Sequence, residues 1–156
     1  MKILLTGKNG QVGFELQRAL APLGELLAVD QSECDMADAQ AIRRLARSFN
    51  PDIIVNPAAY TAVDKAEAEI ELAHAVNAVA PGVFGEEAVK LGAWVVHYST
   101  DYVFDGIKAG PYTEEDATNP QCVYGRTKRD GEGSLQQSGA PHLILRTSWV
   151  VGGHGK

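Results

Sequence analysis

Cysteine is scarce in this chain: Cys34 and Cys122 are the two among 156 residues, far apart and outside any CxxC or metal-ligand spacing. That excludes a disulfide framework or a zinc site as the organising principle, and no metal is expected; it favours a reducing, cytoplasmic setting. Long apolar runs are missing as well. No stretch approaches the ~18 residues of a membrane span, and Met1-Lys2 leads into a strand-like segment rather than a secretory leader. Basic residues are outnumbered, 14 against 20 acidic, for a formal net charge of −6. Such a balance disfavours nucleic acid or an anionic membrane as the main partner. Neither an internal repeat nor a low-complexity segment is present. With 45 % apolar and 22 % charged residues, the chain has the composition of one globular domain with a sizeable core.

What is present is alternation. Lys2 to Thr6 reads as a strand ended by Gly7, followed by Val12, Leu16, Ala19, Leu20 and Leu23 at helical spacing up to Gly24. Glu25 to Asp30 is a second strand. Asp38 caps a second helix whose core stripe is Ile42, Leu45, Ala46 and Phe49. Pro51 introduces a third strand, Asp52 to Asn56. A helical stretch from about Ala66 to Leu91 follows, which Pro81 should divide and Gly92 should end. Ala93 to Tyr98 is a fourth strand, apolar enough to be covered on both faces, with Trp94 in the core. Thr100 to Asn119 is a long polar loop, Pro120 can open another helix, and His142 to Thr147 is a fifth strand. Repeated strand–helix–strand units of this kind predict an α/β fold with a doubly wound parallel sheet, of the Rossmann type.

Between the first strand and the first helix stands Gly7-Lys8-Asn9-Gly10-Gln11-Val12-Gly13, with three glycines at three-residue spacing. Gly7 permits a tight turn, Gly10 lets backbone approach a pyrophosphate, and Gly13 lets helix and strand pack closely. The phosphate then meets unpaired N–H groups at a helix start. Asp30 closes the second strand, near the offset of roughly 20 residues at which a carboxylate receives an adenosine ribose. A carboxylate accepts from a 2′-hydroxyl and repels a 2′-phosphate. Because Gln31 and Ser32 supply no arginine to offset that repulsion, the local charge leans towards NADH over NADPH. Asp35 is a candidate acceptor for the adenine amino group.

Tyr124 and Lys128 lie four residues apart in Tyr124-Gly125-Arg126-Thr127-Lys128, which on a helix puts both on one face. Free tyrosine, with a pKa of about 10, is a poor proton donor–acceptor at neutral pH; a neighbouring ammonium lowers that value by favouring the phenolate. The pair can hand a proton to an alkoxide as it forms. At the end of the fourth strand, Tyr98-Ser99-Thr100-Asp101 places hydroxyls where open α/β sheets bind ligands. Thr100 would polarise a substrate carbonyl, with Ser99 the alternative, since strand alternation turns only one of the two to the cofactor. Other residues take a plain reading. His97 is a hydrogen-bonded core histidine, Cys34 and Cys122 are inert thiols, and the basic run Arg126 to Arg129 is solvated or catalytic.

Taken together, Thr6-Gly7-x-x-Gly10-x-x-Gly13, Tyr98-Ser99-Thr100-Asp101-Tyr102-Val103-Phe104 and Tyr124-x-x-x-Lys128 resemble the extended short-chain dehydrogenases/reductases. Asn56 to Glu67 and Arg146 to Val150 support the likeness, which runs from Lys2 to about Gly152. Pro57 departs from the usual alanine and Val151 from a common aromatic. The resemblance implies Thr100, Tyr124 and Lys128 as catalytic residues. It implies Gly7, Gly10, Gln11, Val12, Gly13, Asp30, Asp35, Met36, Ala59, Tyr60 and Thr61, with Tyr124 and Lys128, as the cofactor site. Thr100, Asp101, Tyr124 and Trp149 would touch a sugar nucleotide. The implied reaction is reduction, with NADH or NADPH, of the 4-keto group of dTDP-4-dehydro-6-deoxy-L-mannose. Related dehydratases carry Asp-Glu where this chain has Asp101-Tyr102, so a dehydratase lacks its base here. An epimerase, or a dinucleotide-binding regulatory subunit without turnover, are the further alternatives. By the same likeness residues 1–152 are the dinucleotide domain, a smaller substrate domain is expected beyond this chain, and a homodimer is compatible with it.

Overall fold

The structure is a computed structural model and describes residues 1–154. Its elements are β1 (Lys2–Leu5), α1 (Gln11–Leu20), β2 (Glu25–Ala28), α2 (Ala39–Phe49), β3 (Ile53–Asn56), α3 (Val63–Ala66), α4 (Ile70–His74), α5 (Ala80–Leu91), β4 (Trp94–Thr100), α6 (Val123–Gln137) and β5 (His142–Thr147). All five strands are parallel, in the order β2-β1-β3-β4-β5. Alternation along each strand divides the apolar side chains between two faces. Leu4, Ile54 and Val95 pack with Ile42, Phe84 and Leu135 of α2, α5 and α6. Ile3, Leu5 and Val55 point the other way, against Leu16 and Leu20 of α1. The doubly wound α/β reading therefore holds.

Local signals explain most of the boundaries. Asp38 accepts hydrogen bonds from the N–H groups of Gln40 and Ala41 at 2.8 and 3.1 Å, which caps α2. Gly92, with φ of 69°, closes α5 in the left-handed conformation. One buried ion cluster ties the two helices together: Glu87 of α5 accepts from Arg43 and Arg47 of α2 and from Lys90, at 2.6 to 2.9 Å.

Four expectations need correction. The helical stretch starts at Ile70, not Ala66, because Glu67 to Glu69 separate the one-turn α3 from α4. Pro81 does not divide it. A wide π turn over Ala75–Val79 carries α4 straight into α5, with the Ala80 N–H bonded back to the Ala75 carbonyl, so the proline sits in the first turn of α5 where its missing N–H costs little. Helix α6 opens at Val123, beyond Pro120, with Cys122 Sγ accepting from the Gly125 N–H at 3.4 Å; Cys122 is thus a cap. Trp94 is 55 % exposed rather than core. It shares the sheet face of Val96, where α1 reaches only the β1–β3 side, and Leu143, the β5 partner of Val96, is exposed too.

Candidate functional site

The strand order reverses between β1 and β3, so the crevice of this sheet opens at their C-terminal ends. A cleft of about 890 Å³ lies there, bordered by every site residue singled out above. The β1–α1 turn contributes Gly7, Gly10, Gln11, Val12 and Gly13; the segment after β2 contributes Asp30, Asp35 and Met36. Ala59, Tyr60 and Thr61 follow β3, Thr100 and Asp101 stand at the end of β4, Tyr124 and Lys128 project from α6, and Trp149 follows β5.

The glycine turn has a steric reason at both ends. Gly7 takes φ of +61°, and a Cβ on Gly13 would lie 2.0 Å from the Gly7 carbonyl oxygen. Gly10 caps α1 without a side chain, so the first N–H groups of the helix remain free for an anion. At the far end, Asp30 Oδ1 accepts from the Ser32 N–H at 2.9 Å and the Ser32 hydroxyl at 2.7 Å, while Asn9 Nδ2 donates to Oδ2. The two Ser32 hydrogen bonds hold the Asp30 carboxyl below its ordinary pKa, and Lys8 adds to the effect. Lys8 and Glu33 escaped the sequence reading. They pair at 2.6 Å across 25 residues of chain, and only the turn's return past the end of β2 brings them together.

On the opposite side, Thr100 Oγ1 donates to Asp101 Oδ1 at 3.1 Å and accepts from the Tyr102 N–H at 3.2 Å. Ser148 donates to Asp101 Oδ2 at 2.6 Å. Of the two hydroxyls weighed from sequence, Thr100 is the one that lies against Tyr124; Ser99 Oγ is buried and makes no hydrogen bond among the described residues. The Tyr102 ring meets Tyr124 edge-on, 5.5 Å between centroids.

The electrostatics depart from expectation. Burial pushes the Tyr124 hydroxyl up, with the neighbouring Thr100 hydroxyl opposing and Asp101 adding to the rise. Lys128 Nζ donates to the Tyr98 carbonyl at 2.6 Å. Lys128 is itself 2 % exposed, and desolvation brings its pKa from 10.5 down to about 8.

Two buried polar residues hold the frame. His97 is fully buried, as expected of a core histidine. Ala58 N–H donates to Thr6 Oγ1, Thr6 donates to Asn56 Oδ1, and Asn56 Nδ2 meets His97 Nδ1 at 3.2 Å. That direction leaves His97 Nδ1 the acceptor and the neutral imidazole protonated on Nε2; burial, with Lys128 nearby, pushes its pKa well down. Asn77, in the π turn, was missed from sequence. Its side chain accepts from the Tyr60 N–H at 2.8 Å and donates to the Tyr60 carbonyl at 3.0 Å and to Thr127 Oγ1 at 3.1 Å. One residue thereby joins the loop after β3 to the helix that carries Tyr124 and Lys128. A lone amide in an apolar helical stretch, Ala73 to Ala80, was the available signal.

Trp149 is 89 % exposed at the rim, with φ of 48° in the left-handed region. Among the described residues no three His, Cys, Asp or Glu side chains converge as a metal site, and no helix is long and apolar enough to cross a membrane.

The uncapped start of α1, the Asp30 carboxylate, Tyr124 and Lys128 thus share one cleft. The model of the RmlD substrate binding domain family matches residues 1–156. The chain belongs to this family. It is 54 % identical, over 99 % of its length, to the dTDP-4-dehydrorhamnose reductase of Escherichia coli K12, of which it covers 53 %. Among solved structures, a dTDP-4-dehydrorhamnose reductase from Clostridium acetobutylicum superposes with a TM-score of 0.94 at 40 % identity, over 98 % of this chain and 55 % of that one. The Bacillus anthracis enzyme of the same name, solved with NADP, also gives 0.94, at 34 % identity over 99 % of this chain and 56 % of its own. The RmlD-family chain thus spans about half the length of these relatives.

Proposed function

We propose that this chain carries the dinucleotide site and the acid–base group of a reductase that converts dTDP-4-dehydrorhamnose to dTDP-L-rhamnose with NADH or NADPH. The observation that carries the reading is the single cleft shared by the uncapped start of α1 and by Thr100, Tyr124 and Lys128. When bound, the reduced nicotinamide supplies the hydride taken up by the 4-keto carbon. Gly7, Gly10 and Gly13 let the backbone close on the pyrophosphate, and Asp30 receives the adenosine ribose. Thr100 Oγ1 orients the carbonyl by turning its proton from Asp101 to the substrate. Tyr124 Oη protonates the oxygen as it becomes a hydroxyl, and Lys128 balances the phenolate left behind. Tyr124 carries its proton at neutral pH, as the acid of the reductive direction must. Asp101 stands next to Tyr102 and not to a second carboxylate, which favours reduction over loss of water.

In this reading residues 1–152 are the dinucleotide unit, and the grip on the sugar comes from a smaller substrate domain. The 156 residues alone then bind NADH but turn over slowly, because the sugar must be held about 3–3.5 Å from the nicotinamide. A homodimer and a cytosolic setting go with the reading, checked by sedimentation and by fractionation. The decisive experiment is Tyr124→Phe in the full-length reductase, followed by cofactor oxidation with the dTDP-4-keto sugar. Turnover should fall at least about 100-fold with dinucleotide affinity little changed. Near-normal turnover overturns the role of Tyr124.

A further inference from the structure

The end of β2 holds more charge than a ribose needs. Lys8 follows the first glycine of the turn, and its backbone is pinned on both sides: its N–H donates to the Val29 carbonyl at 3.2 Å, and Gln17 Nε2 donates to its carbonyl at 2.9 Å. The side chain is the free part, and it reaches Glu33 with Nζ 2.6 Å from Oε1. The other oxygen of Glu33 accepts the Asp30 N–H at 2.9 Å. Glu33 therefore grips the backbone of Asp30 with one oxygen and the Lys8 ammonium with the other. The trio of Lys8, Asp30 and Glu33 carries a net charge of −1.

We infer that Glu33 is a specificity-determining residue, holding Lys8 away from the 2′ position of a bound adenosine and so disfavouring a 2′-phosphate. The inference rests on the dinucleotide reading above and names the device behind its choice of cofactor. Two effects act together. Glu33 adds a second carboxylate beside Asp30, and it occupies the cation that a phosphomonoester would otherwise recruit. The Lys8 and Glu33 side chains are 25 % and 46 % exposed, so their pairing is weak and screened by salt. Lys8 can change partners once Glu33 loses its charge. Glutamine keeps an oxygen for the Asp30 N–H, which makes Glu33→Gln the mild substitution.

The test is direct titration of the full chain with NADH and NADPH at low salt, in the wild type, Glu33→Gln, Lys8→Met and the double variant. Glu33→Gln should tighten NADPH at least about fivefold while NADH moves less than about twofold, the scale of one unit charge a few ångströms away in water. Adding Lys8→Met should abolish most of that gain. An unchanged ratio of NADPH to NADH affinity in Glu33→Gln overturns the inference alone, as does a gain that survives Lys8→Met. If neither dinucleotide binds any variant while circular dichroism shows an intact fold, the dinucleotide reading falls, and this inference with it.

Discussion

Replacing Lys128 with methionine should make the chain more stable at neutral pH, although the same change removes a residue of the proposed catalytic set. The lysine is 2 % exposed, and its pKa falls from 10.5 to about 8 through desolvation. At ~1.4 kcal/mol per tenfold, keeping the ammonium buried costs roughly 3 kcal/mol at pH 7. Methionine fills a similar length without charge. It gives up the 2.6 Å hydrogen bond to the Tyr98 carbonyl, a loss of about 1.5 kcal/mol for a charged donor. The net gain is roughly 1.5 kcal/mol, or a Tm higher by about 3–6 °C for a domain of this size. Its pH dependence is the sharper signature. Because the folded pKa lies below the unfolded one, the wild type carries the full penalty below about pH 8 and sheds it as pH rises to 10.5. Urea midpoints at pH 7, 8.5 and 10 should therefore show the advantage of Lys128→Met shrinking steadily. A variant less stable than wild type at pH 7, or an advantage as large at pH 10 as at pH 7, refutes the reasoning.

Three further outcomes test the frame around the cleft. Asn77→Ala removes three hydrogen bonds of a buried amide and should cost about 3 kcal/mol; hydrogen exchange should show the Tyr60 amide opening faster than amides in β1. Gly13→Ala puts a methyl group 2.0 Å from the Gly7 carbonyl oxygen, which should cost roughly 1–3 kcal/mol and abolish NADH binding by calorimetry. Glu87→Gln should lose about 1–3 kcal/mol at pH 7, while flattening the acid limb of the stability curve. Arg47, Lys90 and Arg43 hold the Glu87 carboxyl far below its ordinary 4.5, so the wild type loses that stabilisation as pH drops below about 4.5 and the glutamine variant does not.

Much of the fold was legible because its signals are short-range. The alternation of strand and helix, the Asp38 cap, the Gly92 stop and the three-glycine turn depend on residues a few positions apart, whose backbone preferences act wherever the segment lies. The four-residue spacing of Tyr124 and Lys128 specified a shared helix face in the same way, and the end of β4 offered Ser99 or Thr100 to the crevice, of which the structure places Thr100 against Tyr124. Environment was another matter. Trp94 and Val95 are neighbours in an apolar run, yet Trp94 is exposed and Val95 buried, since α5 and α6 cover one face of β4 and α1 does not reach the other. Pro81 looked like a break, but a π turn leads into α5 just ahead of it and the proline sits in that helix's first turn. The Tyr124–Lys128 spacing pointed to a lowered tyrosine, but burial is the largest influence on Tyr124 and raises it. Lys8 found Glu33, and Asn77 found Tyr60 and Thr127, only after distant segments had packed. Spacing along the chain determined the direction of each side chain; charge state, partner and exposure depend on what the rest of the chain brings within a few ångströms, and the tertiary structure alone decided those.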